Sequence, residues 1–453
     1  MLPPDFQQQM QTLLGAEYAA FEAALQEPPP VSIRLHSHKT PPGGAPIAAG
    51  QPVPWHPKGY YLPERPVFTL DPLLHAGAYY VQEASSMFVY EAARQTADFS
   101  KPLKVLDLCA APGGKSTLLA DMLAPGSLLV ANEVIQSRVG VLRENLERWG
   151  LPDIAVVSAD AEAFGDLSGC FDVVLADAPC SGEGLFRKDT DARDEWSPAH
   201  VGLCAARQRR ILAEAVETLA PGGVLLYSTC TYNRQENEDN VEWLRAEFGL
   251  QSIPLDLPAA WGIVANDGQY HFYPHRLRGE GFFLAALRKN EGSPARLALP
   301  SAFRSLKPLP KAQLPDMQNW MSRPADFRYF LTPAGDVLAL PAALEADYLL
   351  LDKYLKNKWF GLRIGQFKGK DFAPDHALAL STAVSEQAPR IELSRELALR
   401  FLKKETFDLP PDTPKGWELA AFHGLALGWI KVLPNRMNNY LPAERRIRME
   451  LKG

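Results

Sequence analysis

The sequence predicts an α/β protein: a doubly wound central domain, a small α+β domain before it, and a basic α+β segment ending in a small β barrel. Three observations carry that reading. From residue 103 onward, apolar runs of strand length alternate with helix-like segments, the order that gives a parallel sheet covered on both faces. Within it, Lys104 to Thr117 reads as a buried strand, a Pro112-Gly113-Gly114 turn and the start of a helix. The length of 453 residues corresponds, at about 150 per domain, to roughly two to four domains.

Taken in order, Pro4 to Leu25 predicts one amphipathic helix, with Phe6, Met10, Leu13, Leu14, Tyr18, Phe21 and Leu25 at near-helical spacing, stopped by Pro28-Pro29-Pro30. Val31 to Leu35 is a short strand, Thr40 to Trp55 a Pro- and Gly-rich loop, and Ala78 to Ala93 helical in its second half. Central strands are expected at 104–109, 127–133, 154–158, 172–177 and 223–229, with helices near 115–124, 136–149, 200–219 and 235–247. A hairpin of Gln269 to Tyr273 and Gly281 to Leu287 closes this region. The divisions expected are an N-terminal domain (1–75), a catalytic domain (76–290), a Pro-rich linker (291–312) and a basic C-terminal region (313–453). In the last, Trp417 to Lys431 alternates apolar residues with turns and suggests the barrel.

Composition narrows the class. No apolar run reaches membrane-spanning length, and the N-terminus lacks the basic-then-apolar plan of a signal peptide. Five cysteines (109, 170, 180, 204 and 230) with no Cys-x-x-Cys pair argue against a disulfide framework or a structural zinc site and for a reducing cytoplasm. The net charge of −6 is unevenly spread: residues 301–453 hold 23 Lys and Arg against 17 Asp and Glu. A basic C-terminal third on an acidic body suits local RNA contact, and equally a solvated surface.

The strand–turn–helix at 104–117 directs backbone N–H groups and a helix dipole toward an anionic ligand. A nucleotide phosphate would need glycine five residues before Gly114-Lys115-Ser116; that position is Cys109, inside the strand. The remaining reading is the carboxylate end of a cofactor such as S-adenosylmethionine. Ligands of open α/β sheets lie at the carboxyl ends of the strands. Strand two ends at Glu133, an acceptor for ribose hydroxyls; Asp160 after strand three is a candidate partner for an adenine amino group. Strand four ends in Asp177-Ala-Pro-Cys180-Ser-Gly-Glu-Gly184 and strand five in Ser228-Thr-Cys230-Thr231.

Two thiols at that crevice suggest a particular chemistry. Carbon 5 of cytosine is a poor nucleophile, but thiolate attack at carbon 6 makes the ring enamine-like, able to take a methyl from a sulfonium donor. The adduct must then lose its carbon 5 proton and expel the thiolate. Such a sequence needs a thiol, an acid near the N3/N4 edge and a group that helps release, roles that Cys230, Asp177 and Cys180 fit. The residues alone do not say which thiol attacks. Cys170 and Cys204 read as small buried hydrophobes.

Asp107-Leu-Cys-Ala-Ala-Pro-Gly-Gly-Lys115, Asp177-Ala-Pro-Cys-Ser-Gly-Glu-Gly184 and Ser228-Thr-Cys230 closely resemble three signature motifs of the Sun/nucleolar-type RNA cytosine-5 methyltransferases. Gly77-Ala-Tyr-Tyr-Val-Gln-Glu-Ala-Ser-Ser-Met87 and Gly279-Glu-Gly-Phe-Phe283 are similar to segments flanking those motifs in that family. Leu2-Pro-Pro-Asp-Phe6, Leu14-Gly-Ala-Glu17, Phe372-Ala-Pro-Asp-His-Ala-Leu378, Leu427-Gly-Trp-Ile-Lys431 and Asn438-Asn-Tyr-Leu-Pro442 resemble its bacterial RsmF-like branch, with a C-terminal PUA-like domain. The likeness covers nearly the whole chain; His36 stands where the family usually has Asn.

The resemblance implies a Rossmann-like, S-adenosyl-L-methionine-dependent methyltransferase, cytoplasmic and monomeric, acting on ribosomal RNA of the small subunit (16S). It implies Cys230 as nucleophile, Cys180 in product release and Asp177 between cofactor and base. The backbone of Cys109, Ala110, Ala111, Pro112, Gly113, Gly114 and Lys115 would hold the methionine end of the cofactor, Glu133 its ribose and Asp160 its adenine. The alternatives are the same reaction on tRNA, or an inactive fold that binds RNA during ribosome assembly. Arg187 and Lys188, after the Gly-rich loop, are candidate phosphate contacts. Gly182 and Gly184 would let backbone approach a flipped base. Lys431, Arg436, Arg445, Arg446 and Arg448 form a C-terminal cluster for RNA.

Overall fold

A computed structural model describes residues 2–41, 50–292, 297–317, 319–369, 371–410 and 412–449. Its centre is a mixed sheet containing five parallel strands: Lys104–Asp107, Leu128–Asn132, Ile154–Val157, Phe171–Asp177 and Leu219–Thr229. Val105, Val173 and Val224 stand in register and point to one face, with Leu106, Val174 and Leu225 on the other. Both faces are therefore dry, which is why these strands read as continuous apolar runs. Lys104–Asp107 pairs with Leu128–Asn132 on one side and Phe171–Asp177 on the other. Successive units leave it in opposite directions, and a ligand crevice opens at such a switch point.

Antiparallel strands complete both edges. Phe282–Arg288 pairs with Leu219–Thr229, and Gln269–Phe272 pairs with Phe282–Arg288, as the predicted hairpin requires. At the opposite edge Lys358–Phe360, from the C-terminal region, pairs with Ile154–Val157. An open strand edge is a template for unwanted pairing, and this short strand covers it.

The N-terminal helix differs from expectation. It breaks at Gly15 (φ 54°) into Pro4–Leu14 and Tyr18–Ala24. Phe6, Met10, Phe21 and Leu25 pack against Phe186, Trp196, Tyr232 and Tyr273, so the pair covers loops of the central domain. Ser32–Leu35 pairs with Gly59–Tyr61 and with Tyr79–Val81, so this layer takes its third strand from beyond the residue 75 boundary. Part of the predicted 40–55 loop, residues 42–49, lies outside the described residues.

The 291–312 stretch is not a free linker where it is described; residues 293–296 lie outside the described residues. Lys307–Pro308 pairs with Leu331 and Phe330, and Leu297, Phe303 and Leu306 pack on the central core. A five-stranded and a four-stranded sheet follow, the latter built from Arg390–Glu392, Gly416–Phe422, Leu425–Leu433 and Arg436–Asn439. These sheets are fused to the rest: Tyr348, Leu351 and Leu355 belong to the central core, and Leu427 and Ile430 share a core with Ile33 and Leu73.

Candidate active site

The first central strand delivers Asp107 to the crevice, and the chain turns through Gly113 into the helix Gly114–Met122. Gly113 has φ 111°, a conformation that excludes most side chains. The turn is held from two directions. From the helix Gln136–Trp149, Arg138 Nη2 donates to Ala111 O (2.6 Å) and Asn145 Nδ2 to Pro112 O (2.7 Å). From the N-terminal layer, fully buried Arg34 donates to Thr117 Oγ1 (2.5 Å) and Gly114 O (3.2 Å) and pairs with Asp121 at 3.4 Å.

A cavity of about 350 Å³ lies over this turn, in the range of small-ligand sites. Its floor is Asp107, Cys109 to Pro112, Gly114, Lys115 and Asp177, with Cys230 at one end; Tyr80, Gln82, Glu83, Glu280 and Phe282 form walls. Asp107 Oδ2 accepts from Ser116 Oγ (2.6 Å), while its buried Oδ1 has no partner among the described residues. Burial pushes the Asp107 carboxyl up to about 7. A glycine cradle with an unpartnered acceptor beside it suits the amino-acid end of S-adenosylmethionine.

At the far end the two cysteines meet. Cys180 Sγ lies 3.1 Å from Cys230 Sγ, and Cys230 N–H donates to Cys180 Sγ at 3.3 Å. The hydrogen bond with Cys230 and burial push the Cys180 thiol well above its usual range, so it is a neutral thiol at neutral pH. Asp177 accepts from Ser228 Oγ (2.8 Å) and from Lys115 Nζ (2.7 Å). Burial alone would lower the Lys115 ammonium; the Asp177 carboxylate more than offsets it and holds the pKa above the usual value. Cys230 and the charge-paired Lys115 and Asp177 thus line one cavity, and Cys180, outside its lining, touches Cys230.

Other predicted residues are distributed differently. Glu133 is buried, its Oε1 accepting from Ile135 N–H (2.8 Å) and its Oε2 3.4 Å from Arg138; it does not line the cavity. Asp160 is half-exposed, caps the turn at Ala161 and pairs with Arg210 at 2.6 Å, also away from the cavity. Arg187 is a correction. Its side chain is 6% exposed, paired with Glu280 at 3.1 Å and donating to Gly279 O, so it offers no surface for phosphate. Lys188 is exposed at the cavity rim.

Gly184 is required by its own neighbours: a Cβ there would lie 2.4 Å from Gly281 O and 2.9 Å from Cys230 O. In the C-terminal cluster, Arg445 is spent on Glu147 (2.5 Å) and Glu144 (3.5 Å) of the helix Gln136–Trp149. Arg436, Arg446 and Arg448 are exposed, and Lys431 sits over the Trp417 ring at 5.1 Å. His36 is buried: its Nδ1 accepts from His38 N–H (2.8 Å), so Nε2 donates to Trp149 O (2.9 Å). Burial lowers its pKa to about 2, and this neutral ring stacked on Trp149 has no face for RNA.

Sequence reasoning missed the Lys115–Asp177 pair, the N-terminal walls of the cavity, and Arg138 and Asn145. The first had a signal, since Lys115 and Asp177 end adjacent strand–loop units. Arg138 and Asn145 come from a helix face whose spacing reads only as solvated surface, and the walls from a short strand and loop that pair with distant residues.

Family models match along the chain: "N-terminal domain of 16S rRNA methyltransferase RsmF" at residues 2–84, "16S rRNA methyltransferase RsmB/F" at 97–288, and "Methyltransferase RsmF PUA domain" at 388–447. Ribosomal RNA small subunit methyltransferase F of Serratia proteamaculans is 34% identical, with 98% of this chain and 96% of that protein aligned. The protein of that name from Klebsiella pneumoniae is 33% identical over the same shares. Among solved structures, a methyltransferase homolog protein from Pyrococcus horikoshii is 28% identical with a TM-score of 0.51, covering 61% of this chain and 92% of its own. NSun6 from Pyrococcus horikoshii, with SFG, shares the fold at 22% identity and a TM-score of 0.53, covering 64% and 99%.

Proposed function

We infer the reaction from family and geometry together: the chain belongs to the RsmF family of 16S rRNA methyltransferases, S-adenosylmethionine-dependent enzymes, and methylates carbon 5 of a cytosine in ribosomal RNA. The observation that carries the residue roles is the 3.1 Å contact between Cys180 and Cys230 beside the Lys115–Asp177 pair. The cradle from Cys109 to Lys115 and the unpartnered Asp107 oxygen would hold the methionine end of the cofactor, which supplies an electrophilic methyl group. Glu133 is proposed for its ribose and Asp160 for its adenine, although neither lines the 350 Å³ cavity.

Cys230 attacks carbon 6 of the cytosine as a thiolate. Negative charge then grows on the ring, and the Lys115 ammonium, fixed by Asp177, offsets it at the N3/N4 edge while Asp177 accepts from the amino group. After methyl transfer, the carbon 5 proton passes to solvent water, and the electrons of that C–H bond form the carbon 5–carbon 6 double bond and expel the Cys230 thiolate. A neutral Cys180 thiol in van der Waals contact can donate a hydrogen bond to that leaving sulfur. All five cysteines are free, which supports a reducing cytoplasm as the site of action. Among the described residues no helix is long and apolar enough to cross a membrane.

The division of work between the thiols is tested by substitution. Cys230→Ala should abolish methylation and give no adduct. Cys180→Ala should still attack and transfer the methyl, then stall as a protein–RNA complex that survives denaturing electrophoresis. A trapped complex in Cys230→Ala and none in Cys180→Ala would reverse the assignment. Bisulfite sequencing of ribosomal and transfer RNA from cells with and without the protein reads the substrate; a lost cytosine signal in tRNA alone would overturn the ribosomal reading.

A further inference from the structure

Cys180 is gripped from behind on both sides. Gln208, on the helix Pro198–Thr218, donates through Nε2 to Pro179 O (3.0 Å) and to Glu236 Oε2 (2.8 Å). The same Glu236 oxygen accepts the Ser181 N–H at 2.9 Å. The residues before and after Cys180 are thus tied to one buried carboxylate–amide pair. That pair is anchored in turn: Gln208 Oε1 accepts from Asn240 Nδ2 (2.9 Å) and Tyr227 Oη (3.2 Å), and Asn240 Nδ2 also donates to Glu236 O (3.0 Å).

Gln208, Tyr227, Glu236 and Asn240 are each 0% exposed, and none lines the cavity. Glu236 Oε1 has no partner among the described residues. A buried carboxylate with one idle oxygen is costly, and well-packed apolar side chains would serve stability as well or better. Its position makes sense as a geometric device, because Cys180 has to stay against Cys230 while the base enters and leaves.

We propose that Glu236 and Gln208 are positioning residues for product release, fixing Pro179 and Ser181 so that the Cys180 sulfur stays in contact with Cys230. The proposal rests on the reading of Cys180 as the release thiol. Glu236 acts as an acceptor; one oxygen takes both N–H groups. Glutamine at 236 can present its carbonyl oxygen at that point, whereas leucine cannot.

The full-length chain is assayed on 16S rRNA from cells lacking it, with Cys180→Ala as the reference for stalling. Cofactor affinity by calorimetry confirms that each variant is folded. Glu236→Leu and Gln208→Met should lower the multiple-turnover rate roughly tenfold or more while single-turnover methyl transfer stays within about threefold. Both should accumulate the denaturation-resistant complex, which a general loss of stability would not produce. Glu236→Gln should release product nearly as the parent does. Gln208→Met removes the amide's donor and acceptor while nearly keeping the side chain's length and shape, so it decides the question where Glu236→Leu impairs folding. If Cys180→Ala traps the complex and Gln208→Met does not, the positioning role is overturned. If Glu236→Gln stalls as leucine does, the carboxylate's charge is used chemically and positioning is likewise overturned. If Cys180→Ala itself traps nothing, it is the assignment of Cys180 that fails.

Discussion

Asp107 and Asp177 end neighbouring strands, yet their surroundings separate them. Asp177 faces the Lys115 ammonium at 2.7 Å, while Asp107 is fully buried with one hydroxyl donor, and burial raises its carboxyl to about 7. Between the ordinary carboxylate value and about 7 the folded state holds a proton at Asp107 that the unfolded chain has released. Stability therefore falls as pH rises through that window, and above it this group causes no further change. Asp107→Asn should show a smaller fall in melting temperature between pH 4 and pH 7 than the parent, measured by scanning calorimetry at a series of pH values; an unchanged slope would mean Asp107 does not titrate there. Glu133 gives a second test at this scale. In the proposed role its carboxylate would accept from two ribose hydroxyls, each bond worth about 1 kcal/mol, so Glu133→Ala should bind S-adenosylmethionine roughly tenfold more weakly. Equal affinities by calorimetry would place the ribose elsewhere, and the carboxylate's present commitment to Ile135 and Arg138 would then be its whole role.

Among the elements, the helix Glu345–Tyr354 and the strand Lys358–Phe360 bind the C-terminal region into the central domain. The strand caps the Ile154–Val157 edge, and Asn357 O accepts the Ser158 N–H at 2.8 Å, bracing the strand end that precedes Asp160. Tyr348 is 0% exposed, stacks on Phe360 and lies in the same core as Val157 and Leu212. Tyr348→Ala should cost about 3–5 kcal/mol, the range for removing a buried aromatic ring. Urea unfolding followed by both tryptophan fluorescence and circular dichroism should show one transition moved to lower urea. Two transitions, with only one displaced, would mean that the C-terminal region folds independently. A cut at residue 300, harmless in the expected division at 291–312, would strip this core and open the edge. Four prolines made the segment read as a linker; the pairing of Lys307–Pro308 is non-local and leaves no local pattern.

For the molecule as a whole, the basic C-terminal third is partly spent on its own body. Arg445, in the short turn after the four-stranded sheet's last strand, pairs with Glu144 and Glu147, which leaves Arg436, Arg446 and Arg448 facing solvent. Replacing Arg436 and Arg446 together by alanine should weaken RNA binding and lower the slope of log affinity against log salt by roughly 1–2, since each lost phosphate contact releases about one counterion fewer. Cofactor affinity should not change. An unaltered salt slope in filter binding would make these residues ordinary surface charges.

The sequence by itself determined the parallel strands, the glycine turn, both cysteines and Asp177, because each is set by a local pattern: an apolar run, a turn residue, a reactive group at a strand end. It also carried the family, through motifs in those loops and short segments in both flanking regions. Tertiary structure alone decided that Cys180 touches Cys230, that Lys115 pairs with Asp177, and that Glu236 and Gln208 hold the residues on either side of Cys180. It also decided that Arg187 and His36 are interior residues. A charged or aromatic side chain has the same signature in sequence whether it meets solvent or a partner 93 residues away, as Arg187 meets Glu280. Only the packing of distant elements removes the water and chooses between them.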